Sequence, residues 1–482
     1  MSDFSYLSEA MGLEDPALAV GVIVAVLVVT ATITYKLFSR QDPSTLPPLA
    51  PGGILCALRN MTSDGQPEFL RQCAKDTGSY TFRLSLPIPG TPMYVATGDS
   101  ALARGVLTDP KTNKPKTYEE FEPVAPSIFT RNGSFWHVRR KGHAPAFSVN
   151  HVKRMNQVAL ECTDQWIKEK LIPWTKQGKS FDVAEEMISI TLSAICKTAF
   201  EYDISEQEKK DFTRNSGDVF KEYFQRSMAN PFRKFCGRLL PGRRTAIKAA
   251  ASNQAFAMKI LNKYRANPNP TKGTVIDLIA NASYYRSDLE RGADIITYLV
   301  AGHDTTAYTM AFTLLELARN PDEQRKVQQD LAAKATEEEW SKSQALQMVI
   351  KESMRLHPVS TNGSNRQVRR DFTTKEGWII PKDSIVLASI GLLHHNSTVF
   401  EKPDKFLPSR WANPTKEMKD AFLIFSAGKQ NCIGQSLANA ELNCILPKIL
   451  SEVELEVTEE GTTAFFLTLK PVGAMLKPKL RA

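Results

Sequence analysis

The segment Phe425–Gly434, which reads FSAGKQNCIG, constrains the fold more than any other part of the chain. Gly428 and Gly434 permit a tight turn that can approach a flat ligand closely, because glycine has no side chain. A strong helical pattern begins at Gln435, so Cys432 is predicted to lie at or near a helix N-terminus. Exposed amides and the positive end of the helix dipole favour a thiolate at such a position. The alternative is a buried structural cysteine.

The predicted surroundings of Cys432 suit one kind of cofactor in particular. A thiolate in an apolar, amide-rich loop is the axial ligand that haem iron needs for cleavage of an O–O bond. We therefore predict that Cys432 binds the iron of haem b. The other six cysteines fall in apolar or helical stretches and are expected to be reduced core residues facing the cytosol: Cys56, Cys73, Cys162, Cys196, Cys236 and Cys444.

A second motif, AGHDTT at residues 301–306, lies within a long apolar helical pattern. Ala301 and Thr305 are four residues apart and share one helix face, where the small side chain leaves room for dioxygen. The hydroxyl of Thr305 can bond to a carbonyl one turn back or hold a water molecule. We predict that Thr305 organises oxygen and water while Asp304 supplies protons. The alternative is a pair of helix-interior threonines beside a surface aspartate; His303 is predicted to be structural.

These motifs resemble those of the cytochrome P450 superfamily of haem–thiolate monooxygenases, and they follow one another in the order found there. They cover the chain from Trp136 to Gly434. The matching residues are W-x-x-x-R at Trp136 and Arg140, the oxygen-helix motif from Ala301, E-x-x-R at Glu352 and Arg355, Arg366, Arg410 in FLPSRW, and the cysteine loop with Phe425, Gly428, Cys432 and Gly434.

The resemblance implies a role for each of these residues. Trp136, Arg140 and Arg366 would bind the haem propionates, because the fork of arginine fits a carboxylate better than the point charge of lysine. Ala301 and the residues of the cysteine loop would lie against the haem. An ion network would lock the segment that approaches Cys432, and its members are Glu352, Arg355 and Arg410. Taken alone, an E-x-x-R pair is usually a solvated helix pair.

Three positions depart from patterns in the superfamily. Gln430 stands where a basic residue is usual, so a propionate contact is weakened or replaced, with Lys429 as a candidate. The motifs are most similar to the branch containing fatty-acid hydroxylases, many of which link haem covalently through a glutamate at the position of Ala301. A covalent haem is therefore not expected. Sterol demethylases usually have a histidine where Asp304 stands, which argues against that activity.

The periodicity of the chain predicts a mainly α (α+β) fold. Long helical patterns dominate from about residue 150 to 360, for example at Phe181–Phe200 and Asp288–Ala318. Short strand patterns flank them: Tyr80–Leu84, Tyr94–Ala96, Trp378–Ile380, Ile385–Leu387, Val453–Val457 and Phe465–Leu469. We expect the cytochrome P450 fold, a helix-rich single domain at residues 54–482 with small peripheral β-sheets. No glycine-rich phosphate loop follows a strand, so nucleotide binding is not expected.

The N-terminal region predicts a membrane anchor. Residues 17–35 form an uncharged apolar run, which as a helix spans roughly 28 Å, enough for a bilayer core. Four acidic residues precede the run, and Lys36 and Arg40 follow it, so the positive-inside rule places the rest of the chain in the cytoplasm. We predict a lumenal N-terminus at 1–15, a single transmembrane helix at 16–38 and a proline-rich hinge at 39–53. The expected location is the endoplasmic reticulum membrane.

The charge balance indicates acidic partners. The formal net charge is +9, and the four acids before residue 17 leave the excess of positive charge in the remainder. Such a surface suits anionic lipid or an acidic protein, and no recognised nucleic-acid motif is present. The resemblance implies that electrons come from NADPH through a reductase. Arg139, Lys141 and Lys429 are expected to be exposed on the cysteine side as candidate docking residues.

The substrate is predicted only as a class. By family position, the pocket would be formed by Phe121–Phe129, residues 212–235, Ala301, Thr305 and Val359–Asn362. An apolar, membrane-facing pocket favours a fatty acid, a sterol or another lipid. Two alternatives remain open: a haem–thiolate isomerase or dehydratase that needs no reductase, and a non-enzymatic membrane haem-binding protein.

Overall fold

The computed structural model describes residues 43–52, 60, 63–84, 92–226, 239–268 and 273–481. The predicted lumenal segment and membrane anchor lie outside these residues, as do Cys56, Cys236 and part of the hinge. Among the described residues, no helix combines the length and the apolar character that crossing a bilayer requires.

Helices form the body of the protein. The α-helices are α1 (Gln66–Thr77), α2 (Ser100–Thr108), α3 (Gly133–His143), α4 (Val149–Trp166), α5 (Ile172–Gln177), α6 (Val183–Phe200), α7 (Glu206–Phe220), α8 (Pro241–Ala266), α9 (Val275–Asn281), α10 (Asp288–Arg319), α11 (Pro321–Ala332), α12 (Gln344–Leu356), α13 (Ile390–His394), α14 (Lys416–Ala421) and α15 (Gln435–Glu452). Two short π-helical turns, Ile167–Leu171 and Lys221–Arg226, extend α4 and α7.

The longest helices begin where the sequence supplies capping side chains. The carboxylate of Asp182 accepts a hydrogen bond from the amide of Glu185 at the start of α6. Ser205 and Glu208 form a capping box at the start of α7, and Ser287 caps α10. These side chains satisfy amides that have no partner inside the helix, which fixes the first residue of each helix.

The strands form four small sheets. Their bounds are β1 (Thr81–Leu84), β2 (Tyr94–Thr97), β3 (Phe181–Asp182), β4 (Ser364–Gln367), β5 (Phe372–Thr373), β6 (Ile379–Ile380), β7 (Ile385–Ala388), β8 (Val453–Glu459), β9 (Thr462–Phe465), β10 (Leu469–Val472) and β11 (Met475–Leu480). The strand orders are β1-β2-β7-β4, β3-β11-β8, β9-β10 and β5-β6. All pairs are antiparallel except β2 with β7.

Most of the helices and strands that were assigned from the sequence agree with these elements. The helix predicted at Asp288–Ala318 extends to Arg319, and the helix predicted at Phe181–Phe200 begins at Val183, because Phe181 and Asp182 pair with β11. The strand predicted at Phe465–Leu469 is wrong. Those residues contain the turn of a hairpin, since β9 ends and β10 begins there.

Helix α10 lies at the centre and positions the rest of the site. It packs against α6, α12 and α15, and its residues beyond Thr306 belong to the largest apolar core cluster. Gly302 allows α6 to approach closely, since a Cβ atom at this glycine would lie 3.1 Å from the side chain of Ile195. The hydroxyl of Thr191 donates a hydrogen bond of 3.2 Å to the carbonyl of His303 and ties the two helices together.

Candidate active site

A single interior cavity of about 510 Å³ brings together residues that are far apart in the sequence. Its lining comes from α3, α10, β4, the loop before α15 and the segment between α2 and α3. Eight residues singled out from the sequence line it: Trp136, Arg140, Ala301, Asp304, Thr305, Arg366, Phe425 and Cys432. Gly434 also lines the cavity, whereas Gly428 shapes the loop from behind.

The loop before α15 is folded tightly around Cys432. The amide of Cys432 donates a hydrogen bond of 2.9 Å to the carbonyl of Phe425. Gly428 has a φ of +73°, and a Cβ atom there would lie 2.5 Å from the carbonyl oxygen of Leu107, so only glycine fits. Helix α15 begins at Gln435, three residues after the cysteine, in agreement with the predicted position near a helix N-terminus.

Cys432 lines the cavity, and its side chain is exposed there. Burial raises the pKa of the Cys432 thiol, although a hydrogen bond from the Gly434 amide and the charge of Arg140 act to lower it. The groups expected to favour a thiolate are therefore present, but burial outweighs them in the protein alone. A cation bound at the sulfur would supply the remaining stabilisation of a thiolate.

The oxygen-helix residues face the same cavity from α10. The hydroxyl of Thr305 donates a hydrogen bond of 2.8 Å to the carbonyl of Ala301, one turn back along the helix. This bond holds the hydroxyl at the edge of the cavity. The carbonyl of Ala301 is also the acceptor of a backbone hydrogen bond within the helix, so it is shared between two donors. Ala301 lines the cavity with only a methyl group, which agrees with the prediction that a small side chain leaves room there.

Asp304 is held at the edge of the cavity by a hydroxyl group from outside α10. Its Oδ2 atom accepts a hydrogen bond of 2.6 Å from the hydroxyl of Thr468, in the hairpin between β9 and β10. Burial, the charge of Asp304 and a hydrogen bond to that carboxylate raise the pKa of Tyr308, so this phenol stays protonated. His303 is buried, with Nδ1 2.6 Å from the carbonyl of Leu299, and does not line the cavity.

Three cations meet at one side of the cavity with no carboxylate paired to them among the described residues. Arg140 donates hydrogen bonds to the carbonyl and side-chain oxygens of Asn431 at 2.9 and 2.8 Å. Arg366 is 3% exposed and donates to the carbonyl of Asn365. Lys114 is buried, and burial together with the charges of Arg366 and Arg140 lowers its pKa to about 7.

This cation cluster provides a test of whether the cavity fits haem. Buried like charges are costly unless an anion compensates them, and haem carries two propionates. Three features of the cavity fit an iron protoporphyrin: the sulfur of Cys432 for the iron, the close-packed loop at Gly428 for the flat ring, and the cations without a carboxylate partner for the propionates. Lys114 was missed from the sequence, because three lysines at 111–116 look like a solvated loop.

Gln430, which stands where a basic residue is usual, and Lys429, the candidate replacement, differ in their position relative to the cavity. Gln430 lines the cavity, and its Oε1 atom is buried without a hydrogen-bond partner in the described part of the chain. Lys429 is exposed and donates to the carbonyl of Pro110 at 3.2 Å, outside the cavity. Lys429 thus does not line the cavity, contrary to its predicted role, and the additional cation that does line it is Lys114.

The predicted ion network is formed and fully hydrogen-bonded. Glu352 accepts hydrogen bonds from the guanidinium of Arg355 at 2.9 and 2.8 Å and from Nε of Arg410 at 3.0 Å. The backbone amide of Leu407 and the indole of Trp411 each donate to it at 2.9 Å. Glu352 and Arg355 are completely buried, so the network links α12 to the segment that leads to the cysteine loop.

Arg139 does not lie on the surface, and the prediction that it is a docking residue is wrong. The side chain is 2% exposed and is paired with Glu290 and Asp294 of α10. A sequence pattern could not reveal this, because Arg139 and Arg140 are adjacent and only packing decides which one faces outward. Lys141 and Lys429 are exposed as expected.

Comparison with known proteins agrees with the fold and the site. The cytochrome P450 family matches residues 45–481, so the chain belongs to this family of oxidoreductases, which are haem–thiolate monooxygenases. It is 27% identical to probable cytochrome P450 4p3 of Drosophila melanogaster over 89% of both chains. It is 26% identical to taurochenodeoxycholic 6 alpha-hydroxylase of Sus scrofa, over 76% of this chain and 77% of the relative.

A solved structure supports the cytochrome P450 fold. The haem domain of cytochrome P450DA superimposes with a TM-score of 0.75 at 21% identity, covering 90% of this chain and 98% of that domain. The helix-rich body with small peripheral sheets, expected from the sequence, is therefore confirmed. At this level of identity the likeness concerns the fold alone.

Proposed function

We propose that this protein is a haem–thiolate monooxygenase that inserts one oxygen atom of O2 into a lipophilic substrate. The observation that carries the proposal is that Cys432 and the Thr305–Ala301 face border one cavity, with Lys114, Arg140 and Arg366 at its side. Haem bound through Cys432 would supply the redox chemistry and the binding of O2. Arg140, Arg366 and Lys114 would bind its propionates, with Trp136 beside them.

The side chains of α10 would control protons and water on the oxygen side. Thr305, held by the carbonyl of Ala301, presents a hydroxyl that can exchange this bond for one to an ordered water molecule. Asp304 lies next to it, half-buried and hydrogen-bonded to Thr468, and can take up a proton from solvent and pass it inward. The two residues would thus form a short relay into the cavity.

The cavity wall favours a lipophilic substrate. Tyr118, Phe121 and Phe129 form a cluster in which ring centroids lie 5.3 to 6.1 Å apart, and all three line the cavity. Such a wall binds alkyl chains or sterol rings by burying apolar surface. The taurochenodeoxycholic 6 alpha-hydroxylase among the relatives supports a substrate of this kind, and we include fatty acids, sterols and other lipids in the class.

We propose that electrons reach the site from NADPH through a reductase, and that the enzyme is anchored in the endoplasmic reticulum membrane by residues 16–38. Exposed Lys141 and Lys429, close in sequence to cavity residues Arg140 and Gln430, support an acidic partner on the cysteine side. Fractionation of cells expressing the full chain tests the location, and recovery in the mitochondrial rather than the microsomal fraction would contradict it. The domain boundaries at residues 15, 38 and 53 remain part of this proposal.

The carbon monoxide difference spectrum of the haem-loaded protein tests haem ligation. We expect the thiolate band in the native protein and its complete loss in Cys432→Ala. Cys444→Ala is the matched control, because Cys444 is a buried thiol on α15 outside the cavity and should leave the band unchanged. A panel of fatty acids and sterols, scored by substrate-induced shifts of the haem spectrum, then identifies the substrate class. No band in the native protein would refute the proposal.

A further inference from the structure

A buried charge network joins α3 to α10 outside the proposed catalytic machinery. Arg139 of α3 lies between two carboxylates of α10, with 2.5 Å from Nη2 to Oε2 of Glu290 and 3.1 Å from Nε to Oδ2 of Asp294. The three side chains are at most 10% exposed. Neither the haem pocket nor the proton relay uses them, so their cost of burial needs another explanation.

Asp294 differs from Glu290 in that it also holds residues 122–131, the segment that forms one wall of the cavity and is called the wall below. Its Oδ1 atom accepts a hydrogen bond of 2.6 Å from the backbone amide of Ile128, and its Oδ2 atom accepts one of 2.6 Å from the hydroxyl of Tyr285. Ile128 and its neighbour Phe129 line the cavity. A completely buried carboxylate thus reaches from α10 to a segment that has no helix or strand of its own.

The backbone carbonyl of Ile128 is held by a lysine side chain. The ammonium group of Lys114 donates a hydrogen bond of 3.1 Å to the carbonyl of Ile128. The other polar contacts of this wall are mostly internal, such as the bonds between Ser127 and Thr130. The same ammonium group donates to the carbonyl of Arg131 at 3.3 Å. Ile128 is thus held by charged side chains at both its amide and its carbonyl.

We infer that Asp294 is a positioning residue that fixes the cavity wall at Ile128 and thereby limits which atom of the substrate reaches the oxygen site. The inference rests on the proposed function for its effect on products, but not for its effect on the wall. Charge-assisted hydrogen bonds are stronger than neutral ones, and displacements of about 1 Å at a substrate-positioning group change reactivity strongly. Loosening Ile128 would move Phe129 and its partner Phe121, which form the apolar surface against the substrate.

Backbone hydrogen exchange of residues 122–131 tests the wall directly in the haem-loaded protein. In Asp294→Ala we expect exchange at least about tenfold faster, because the amide of Ile128 loses a charged acceptor. Asp294→Asn should exchange more slowly than Asp294→Ala, since its neutral amide oxygen can still accept from Ile128, but faster than native, because the charge and the acceptor for Arg139 are lost. Asp294→Ser, too short to reach Ile128 but able to keep an oxygen beside Tyr285, is measured alongside in case the alanine variant does not fold.

Two matched controls separate the wall from the network. Glu290→Gln weakens the pairing with Arg139, and Tyr285→Phe removes the donor to Oδ2, but both leave the contact with Ile128. We expect exchange of residues 122–131 to remain within about threefold of native in both. Equal acceleration in Asp294→Ala and Glu290→Gln would overturn the inference, because it would show a general loss of packing.

The products formed from a single lipid substrate test the consequence for chemistry. Asp294→Ala should change the ratio of positional isomers by several-fold, and Asp294→Asn should change it less. Faster exchange with an unchanged ratio would overturn the specificity role. The two proposals fail separately, since absence of the carbon monoxide band in the native protein refutes the proposed function while the exchange result still decides whether Asp294 holds the wall.

Discussion

The buried carboxyl group of Glu441 in α15 should make the free energy of unfolding depend on pH. The side chain is 3% exposed and accepts a hydrogen bond from Thr306, and burial raises its pKa from 4.5 to about 8. The folded state therefore keeps the proton to higher pH than the unfolded chain. Unfolding releases that proton between about pH 4.5 and 8, so the contribution of Glu441 to stability is present at low pH and is lost as the pH rises.

The size of the effect follows from the two pKa values. Each pKa unit corresponds to about 1.4 kcal/mol, so the full window is worth roughly 5 kcal/mol. Glu441→Gln has the same shape, keeps an acceptor for Thr306 and lacks the proton. We expect the free energy of unfolding of this variant, relative to the native protein, to increase by about 3 kcal/mol between pH 5 and pH 8.

Urea unfolding of both haem-loaded proteins, followed by circular dichroism at pH 5, 6.5 and 8, measures this difference. All other titrating groups are common to the two proteins and cancel in the comparison. Glu454→Gln, which removes an exposed carboxyl of β8, is the matched control and should give no such trend. Parallel pH profiles for Glu441→Gln and the native protein would refute the reasoning.

Three further changes have expected outcomes of different kinds. Thr305→Ala should preserve the fold and the carbon monoxide band but raise hydrogen peroxide per molecule of NADPH consumed several-fold, because the proton relay loses its hydroxyl; unchanged coupling would contradict the assignment. Glu352→Ala should lower the free energy of unfolding by about 3–5 kcal/mol, since Arg355 is left buried and unpaired; urea unfolding measures it, and a loss below 1 kcal/mol would show that the network is not structural. Gly428→Ala should reduce haem retention during gel filtration, because the new methyl group meets the carbonyl of Leu107 at 2.5 Å; full retention would show that the loop can shift without cost.

Local patterns predicted the parts of the site that depend on local geometry. The glycine-bounded cysteine loop and the Ala301–Thr305 spacing are each contained within about ten residues, so the sequence alone indicates their conformation. The long helices were also predictable, because their apolar residues recur with helical periodicity. The hairpin at Phe465–Leu469 was misassigned because its apolar pattern runs through the turn.

Burial of charged residues could not be predicted from the sequence. Arg139 and Lys114 stand in basic stretches typical of solvated surfaces, yet packing of α10 and of the cavity wall buries both. Arg139 rather than Arg140 faces Glu290, and this choice depends on a tertiary contact between residues more than 150 positions apart in the sequence. Sequence periodicity carries no information about such contacts.

The position of Lys114 has a thermodynamic consequence for the loaded enzyme. One ammonium group contacts the carbonyl of Ile128 and also belongs to the cation cluster proposed to bind the propionates. Cofactor and substrate then act on the same side chain, and linkage requires that each change the affinity of the other by an equal factor. Substrate binding that acts on Ile128 will therefore change the rate at which haem leaves, and this rate becomes a measure of substrate binding that needs no turnover.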